Sequence, residues 1–371
     1  MPKKILIVGA GFFGAVCARE LTDAGFECLV IERRDHIGGN CYTVFNPEAA
    51  CHCHVYGPHI FHTDKEEVWN YICGFADFNH FVNRPKVFYR GNLYSFPINL
   101  FTLYQLFGVR TPGEGQAYLE KVRWPIQDPK NLEEWCLSQI GKEVYEIFIE
   151  GYTRKQWNRH PKELPVGIIK RLPIRLTFDD NYYGHQYQGI PIGGYTALFE
   201  KILKGIAVEP GVDFLQDREY WMKNRLLIIY TGALDEFFSY NLGPLEYRTL
   251  RFETELLPVA DFQGNAVINF TEDSVPFTRI VEHKHFDLSF QEPETVITRE
   301  YPNNWVPGDP PYYPVNTAES QERLEKYQIL AGTEVPRVIF GGRLGAYRYF
   351  DMDQVIEAAL KTSKIIIQAN T

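Results

Sequence analysis

The sequence predicts an α/β fold: a discontinuous Rossmann-like domain with an inserted helical domain and an antiparallel β-sheet domain. Three observations carry that expectation. The chain opens on an apolar run, a glycine-rich turn, a helical stretch and a second apolar run ending in an acidic residue, which is the pattern of a βαβ unit. A strand-then-helix pattern returns near the C-terminus. Between the two lie a helical stretch and a series of evenly spaced strand-like segments. At 371 residues there is room for two or three domains.

Residues 4–8 (KILIV) read as a buried parallel strand, being almost wholly apolar and short. Gly9-Ala10-Gly11-Phe12-Phe13-Gly14 follows. Residues 15–24 then read as a helix stopped by Gly25, and 26–31 (FECLVI) as a second strand before Glu32. Residues 33–80 are loop-rich and heavy in histidine and aromatics. From about 100 to 160 the apolar spacing is helical, with breaks at Thr111-Pro112-Gly113 and at 124–131, where Pro125 and Pro129 predict a mobile loop. Gly193-Gly194 precede another helix, 195–204. From about 206 to 300 the segments RLLIIY, LEYRTLRFETEL, NAVINFT, TRIVEHKHF and ETVITREY recur, and their spacing predicts an antiparallel sheet. Residues 318–330 read as a helix, 338–342 (VIFGG) as a strand and 353–367 as a last helix. The nucleotide-binding domain is thereby assigned 1–80, 187–240 and 316–371; the helical domain 98–160; and the antiparallel sheet domain 81–97, 161–186 and 241–315.

Composition narrows the function. The net charge of −9 disfavours a nucleic-acid binder, which shows a basic balance or stripe, yet leaves room for a small anion held by a few arginines. Seven cysteines, an odd number without a CxxC pair, predict no disulfide framework and a reducing cytoplasm. The start, Pro2-Lys3-Lys4 before ILIVGAGFFGAV, imitates a signal peptide, but Gly9, Gly11 and Gly14 point to a tight turn instead. No run of 18 apolar residues occurs, so no membrane span is expected. Aromatics make up 15%, and tyrosine nearly matches phenylalanine, which hints at half-wet clefts beside the core.

Gly9-x-Gly11-x-x-Gly14 between strand and helix lets the backbone approach a pyrophosphate, which the helix N-terminus stabilises, while Glu32 can accept from a ribose diol. Gly38-Gly39 lets the chain double back over the same ligand. This longer pattern resembles the FAD-binding fold of amine-oxidase and glutathione-reductase-like flavoproteins, with Cys28 as a departure affecting packing only. Near the C-terminus, VIFGG leads into Arg343-Leu344-Gly345 and then Asp351-Met352-Asp353 before a helix. That helix's N-terminus would stabilise negative charge on a reduced isoalloxazine. FAD is the expected cofactor. Cys51-His52-Cys53-His54 invites a metal reading, but a strand alternates its side chains and structural zinc prefers turn-borne pairs, so no metal is expected.

Three motifs carry a narrower resemblance: Tyr56-Gly57-Pro58-His59-Ile60-Phe61-His62-Thr63; Gly151-Tyr152-Thr153-Arg154-Lys155-Gln156-Trp157 with Ile169-Lys170-Arg171-Leu172-Pro173; and Gly341-Gly342-Arg343-Leu344-Gly345-x-Tyr347-x-Tyr349-x-Asp351-Met352. Together with Val275-Pro276-Phe277-Thr278-Arg279 they resemble the bacterial UDP-galactopyranose mutases across nearly the whole chain. The resemblance implies an isomerase that interconverts UDP-galactopyranose and UDP-galactofuranose without net redox change, through a covalent adduct of the anomeric carbon with N5 of reduced FAD. It implies activity only when the flavin is reduced, by NAD(P)H or another reductant bound transiently. It also implies a homodimer and a supply of galactofuranose for cell-surface glycans. The residues carried over as catalytic are Arg171, Arg279, His59 and Tyr349. Substrate contacts are Phe148, Tyr152, Thr153, Trp157, Arg171, Tyr182, Asn269, Arg279, Tyr313 and Tyr349. Cofactor contacts are Gly9, Gly11, Phe13, Gly14, Glu32, Arg33, Gly39, Asn40, His59, Ile60, Arg343, Tyr349, Asp351 and Met352. Arginine suits a diphosphate because its planar fork matches phosphate oxygens. Phe148 and Tyr152, four apart on a predicted helix, share a face able to hold a uracil. A flavin oxidase or dehydrogenase of the amine-oxidase type is the alternative; it accounts for both FAD motifs but not for the arginines or the 151–157 motif.

Overall fold

In the computed structural model, residues 4–168, 173–223 and 227–370 are described. The opening βαβ unit forms as its sequence predicts: a strand (Lys4–Val8), a helix (Phe12–Asp23) and a second strand (Glu27–Glu32). These two strands sit in an all-parallel five-stranded sheet in the order Val338–Phe340, Leu227–Tyr230, Lys4–Val8, Glu27–Glu32, Ala207–Pro210. One face is covered by the Phe12–Asp23 helix, which packs on the C-terminal helix (Met352–Asn370), so the two ends of the chain share one core. The other face packs on Phe214, Phe237, Phe238 and Tyr327.

The spacing groups the segment RLLIIY with the antiparallel strands, although the domain bounds give 187–240 to the nucleotide-binding domain. Instead Leu227–Tyr230 lies parallel and central, between Lys4–Val8 and Val338–Phe340. A strand covered on both faces reads as a continuous apolar run, and spacing along the chain says nothing of which sheet receives it. The second sheet has seven strands, in the order Tyr313–Pro314, Tyr247–Leu257, Thr295–Asn304, Arg279–Glu282, Val267–Phe270, Lys86–Tyr89, Asn92–Ser95. It is antiparallel except where Val267–Phe270 meets Lys86–Tyr89 in parallel, so the expected antiparallel sheet is in fact mixed.

The helical stretch resolves into Leu100–Phe107, Pro112–Val122, Leu132–Tyr145 and Gly151–Trp157. Asn99, Thr111 and Asn131 cap the first three by accepting N–H bonds in the first turn. Glu146–Glu150 is wound more loosely, with π-type bonding, just before the motif helix Gly151–Trp157. Phe148 lies in that stretch, so its relation to Tyr152 is not the simple four-residue step of an α-helix.

Candidate functional site

The glycine turn builds the floor of a cleft at the carboxyl ends of the parallel strands. Gly9 has φ +105°, and a side chain there would sit 2.0 Å from the Thr231 hydroxyl. Gly14 presses on the turn: its added Cβ would lie 2.0 Å from the Gly9 carbonyl oxygen. Gly11 and Gly39 face one another, with 3.1 Å between a Cβ on Gly39 and the Gly11 Cα. Gly38 N–H donates to the Ala10 carbonyl at 2.9 Å, so the chain does double back over the turn. The helix that follows starts without a side-chain cap, leaving its first amides to a ligand.

Glu32 is buried. Its Oε2 accepts from Ala10 N–H at 2.8 Å and its Oε1 from Arg34 N–H at 3.0 Å, which aims the carboxylate along the cleft. Gly9, Gly11, Phe13, Gly14, Glu32, Arg33, Gly39, Asn40, His59, Arg343 and Met352 all line this one cleft. Ile60 does not; it is buried in a separate apolar cluster with Phe81, Ile190 and Phe286. Asp351 stands immediately before the Met352–Asn370 helix, and its carbonyl takes the Val355 N–H. A side chain on Gly39 would press on Gly11 and narrow the cradle, and the Glu32 carboxylate lines the same cleft. The residues therefore fit a dinucleotide cofactor.

Spacing within the chain missed part of the lining: Val212, Thr231, Gly232 and Tyr312. Thr231 and Gly232 follow the Leu227–Tyr230 strand, and ligands collect at the carboxyl ends of parallel strands. The Tyr-Thr-Gly step after that apolar run is the signal the sequence offers, and grouping the run by spacing with the antiparallel segments hides it.

A second group of residues gathers around Arg279, the first residue of the Arg279–Glu282 strand. Its Nε and Nη2 donate to Glu300 Oε2 at 2.9 and 2.8 Å, across a register that pairs Arg279 with Glu300. Burial pulls the guanidinium's pKa down, but the adjoining carboxylate outweighs it and holds the arginine well above its ordinary value. The Glu300 side chain is 1% exposed and its Oε1 has no protein partner among the described residues. Glu300 also lies beneath Gly57, where an added Cβ would come within 3.2 Å of Oε2.

Tyr152 and Tyr313 stand close enough to this pair to feel its charge, with Tyr349 near both and Tyr182 near Tyr152. Burial pushes the Tyr152 phenol up to about 12, and burial together with Glu300 pushes Tyr313 up, so both are neutral donors near neutral pH. Tyr313 and Tyr349 stack at 5.7 Å, and the Arg343 guanidinium lies 5.3 Å from the Tyr349 ring centre. Asn269 is buried beside Arg279 in the next strand. Thr153 is buried, and Trp157 is half-buried against the helical core. Phe148, 2% exposed, lies inside that core, stacked at 6.1 Å on Phe96, which in turn meets Tyr182 at 6.0 Å. Arg171 falls outside the described residues.

His59 connects the two groups: it lines the cleft and feels both Arg343 and Arg279. Burial first, then those cations, lower its pKa to about 4, against a hydrogen bond to the Gly57 carbonyl that raises it. Its Nδ1 is 2.8 Å from the Gly57 carbonyl, so Nδ1 carries the proton and Nε2 presents a lone pair. The Cys51–His54 strand supports it. His54 Nδ1 accepts the His59 N–H at 3.1 Å, His283 Nδ1 accepts the His54 N–H at 3.2 Å, and His52 bonds Asp287. The support role of His54 had no signal in the spacing.

The chain is similar to known proteins along nearly its whole length. A family profile described as UDP-galactopyranose mutase matches residues 147–349, and one described as an NAD(P)-binding Rossmann-like domain matches 7–73. A probable UDP-galactopyranose mutase from Klebsiella pneumoniae is 46% identical, covering 97% of this chain and 94% of its own. A dTDP-fucopyranose mutase from Escherichia coli is 37% identical, covering 99% of each. A crystal structure of reduced UDP-galactopyranose mutase superposes with a TM-score of 0.75 at 16% identity, over all of this chain and 94% of the other, which establishes the fold.

Proposed function

The chain belongs to the UDP-galactopyranose mutase family of isomerases, and on that premise we propose that it interconverts UDP-galactopyranose and UDP-galactofuranose with FAD as cofactor. The observation that carries the reading is the junction of the two groups. His59 and Arg343 line the glycine-floored cleft; His59 also lies within electrostatic reach of Arg279, and Arg343 within reach of Tyr313 and Tyr349. A sugar held between them would have its anomeric carbon toward the cleft and its diphosphate toward the arginine.

Bound and reduced, the flavin would supply the nucleophile for the anomeric carbon, with no net change of oxidation state. The protein's part is to hold and release UDP. Arg279 and Arg171 take the diphosphate charge, and arginine's fork suits that anion in both bound and departing forms. Tyr182, Tyr313 and Tyr349 donate hydrogen bonds from their hydroxyls to phosphate oxygens. His59 Nε2, unprotonated near neutral pH, accepts a hydrogen bond on the flavin side. Trp157 and Tyr152 flank the nucleotide, and residues 124–131 close over it and exclude water. The protein acts as a homodimer in a reducing cytoplasm, a setting that its seven free thiols fit, and supplies galactofuranose for surface glycans.

The test is turnover of UDP-galactofuranose by oxidised and by dithionite-reduced protein, followed chromatographically. Conversion to UDP-galactopyranose only after reduction supports the reading; no conversion by reduced, yellow-when-oxidised protein overturns it. Faster turnover of dTDP-fucopyranose than of UDP-galactopyranose would move the substrate to that of the Escherichia coli relative. Arg171→Ala and Arg279→Ala should each lower turnover by about 100-fold or more while flavin stays bound.

A further inference from the structure

We propose that Lys155 is a positioning residue for nucleotide-sugar binding: its ammonium locks the Gly151–Trp157 helix to the turn that delivers Arg279. The inference rests on the reading that Tyr152, Trp157 and Arg279 hold the UDP moiety. Those residues come from two separate pieces of chain, the motif helix and the 271–278 turn joining the Val267–Phe270 and Arg279–Glu282 strands. Something must fix the distance between them, and Lys155 is placed to do so.

Lys155 Nζ donates to the carbonyl oxygens of Phe270 at 2.7 Å, Val275 at 3.0 Å and Phe277 at 3.0 Å. An ammonium has three donors, and all three are spent on this one turn. Three carbonyl oxygens converging on a point repel one another, so the turn needs the cation as much as the lysine needs the acceptors. The contact is close elsewhere too. A Cβ on Gly151 would lie 2.1 Å from the Thr271 carbonyl oxygen, so the helix rests directly on the turn. Thr271 Oγ1 donates to the Ile147 carbonyl at 2.6 Å, and Arg154 reaches Asp273 at 3.4 Å. From the far side, Arg248 Nε donates to the Gln156 carbonyl at 2.8 Å, holding the helix's last turn.

Lys155 is not among the residues lining the cleft; its ammonium sits on the carbonyls of the turn. Its loss would therefore leave the flavin cradle whole and shift Tyr152 and Trp157 relative to Arg279. Misplacing a binding group by about 1 Å costs on the order of 10- to 100-fold.

The experiment uses the flavin-loaded protein and two variants, Lys155→Met, which keeps the stem and removes the cation, and Lys155→Arg, which keeps a cation but cannot seat three donors on three carbonyls. UDP affinity is measured by calorimetry on oxidised protein, flavin content by absorbance, and KM and kcat after reduction. The expected result is native flavin content, a UDP Kd and KM raised roughly 10-fold or more in Lys155→Met, a smaller rise in Lys155→Arg, and a lesser change in kcat. If Lys155→Met does not fold, Lys155→Arg alone decides, by weaker UDP binding at full flavin content. Native UDP affinity in either soluble variant, or equal loss of flavin and UDP binding, overturns the inference. Native protein that binds no UDP overturns the functional reading beneath it, and the inference with it.

Discussion

Replacing Glu300 by glutamine is the perturbation that most directly tests how Arg279 is held ready. The Arg279–Glu300 contact has two donors on one carboxylate oxygen at 2.8–2.9 Å, with the Glu300 side chain 1% exposed. At an effective dielectric of about 20 and a charge separation of about 4 Å, the attraction is about 4 kcal/mol. Removing one partner of a buried pair costs about 3–5 kcal/mol because the other charge is stranded. Glutamine keeps an oxygen acceptor, so about 3 kcal/mol is the working figure. Unfolding entropy of about 2.1 cal/mol/K per residue over 371 residues is about 0.8 kcal/mol/K, so the melting temperature should fall by about 4 °C. UDP should then stabilise the variant more than the native protein, since its diphosphate takes over as the counter-charge. Scanning fluorimetry of both proteins, with and without saturating UDP, reads both effects. A variant that melts within about 1 °C of native, or one that gains no more from UDP than native does, refutes the argument that Glu300 is Arg279's resting counter-ion.

Two further outcomes follow from the cleft and its supports. Gly14→Ala places a Cβ 2.0 Å from the Gly9 carbonyl, backbone that cannot step aside, so the purified variant should be pale or colourless while native protein is yellow; absorbance decides. His59 and His283 are lowered to about 4 by burial, and His54 is lowered as well. The unfolded chain then binds protons that the folded one refuses between pH 6.5 and 4, so stability is full above about 6.5 and is lost as pH falls toward 4. Buried His283 alone accounts for on the order of 3 kcal/mol of that loss. A chemical-denaturation midpoint unchanged between pH 7 and 5 would show that these rings are not buried neutral.

Much of the site could be read from the chain. Gly9, Gly11, Gly14 and Glu32 were legible because turn, helix start and strand end follow one another within a short stretch, and each residue's role depends on its neighbours. The C-terminal strand and helix were legible for the same reason. The 151–157 motif was visible as a motif, but the looser winding of Glu146–Glu150, which buries Phe148 among Phe96 and Tyr94, left no trace in the residue pattern.

The sequence by itself determined the βαβ unit, the glycine floor with its acidic partner, and the presence of a second, strand-rich region. Only the tertiary structure decided that Leu227–Tyr230 lies parallel between Lys4–Val8 and Val338–Phe340, that Glu300 is Arg279's partner, that His54 supports His59, and that Lys155 ties the motif helix to the Arg279 turn. The physical reason is range. A turn or a helix start is closed by bonds between near neighbours, whereas strand order and register are chosen by burial over the whole molecule, and a local pattern does not carry that choice.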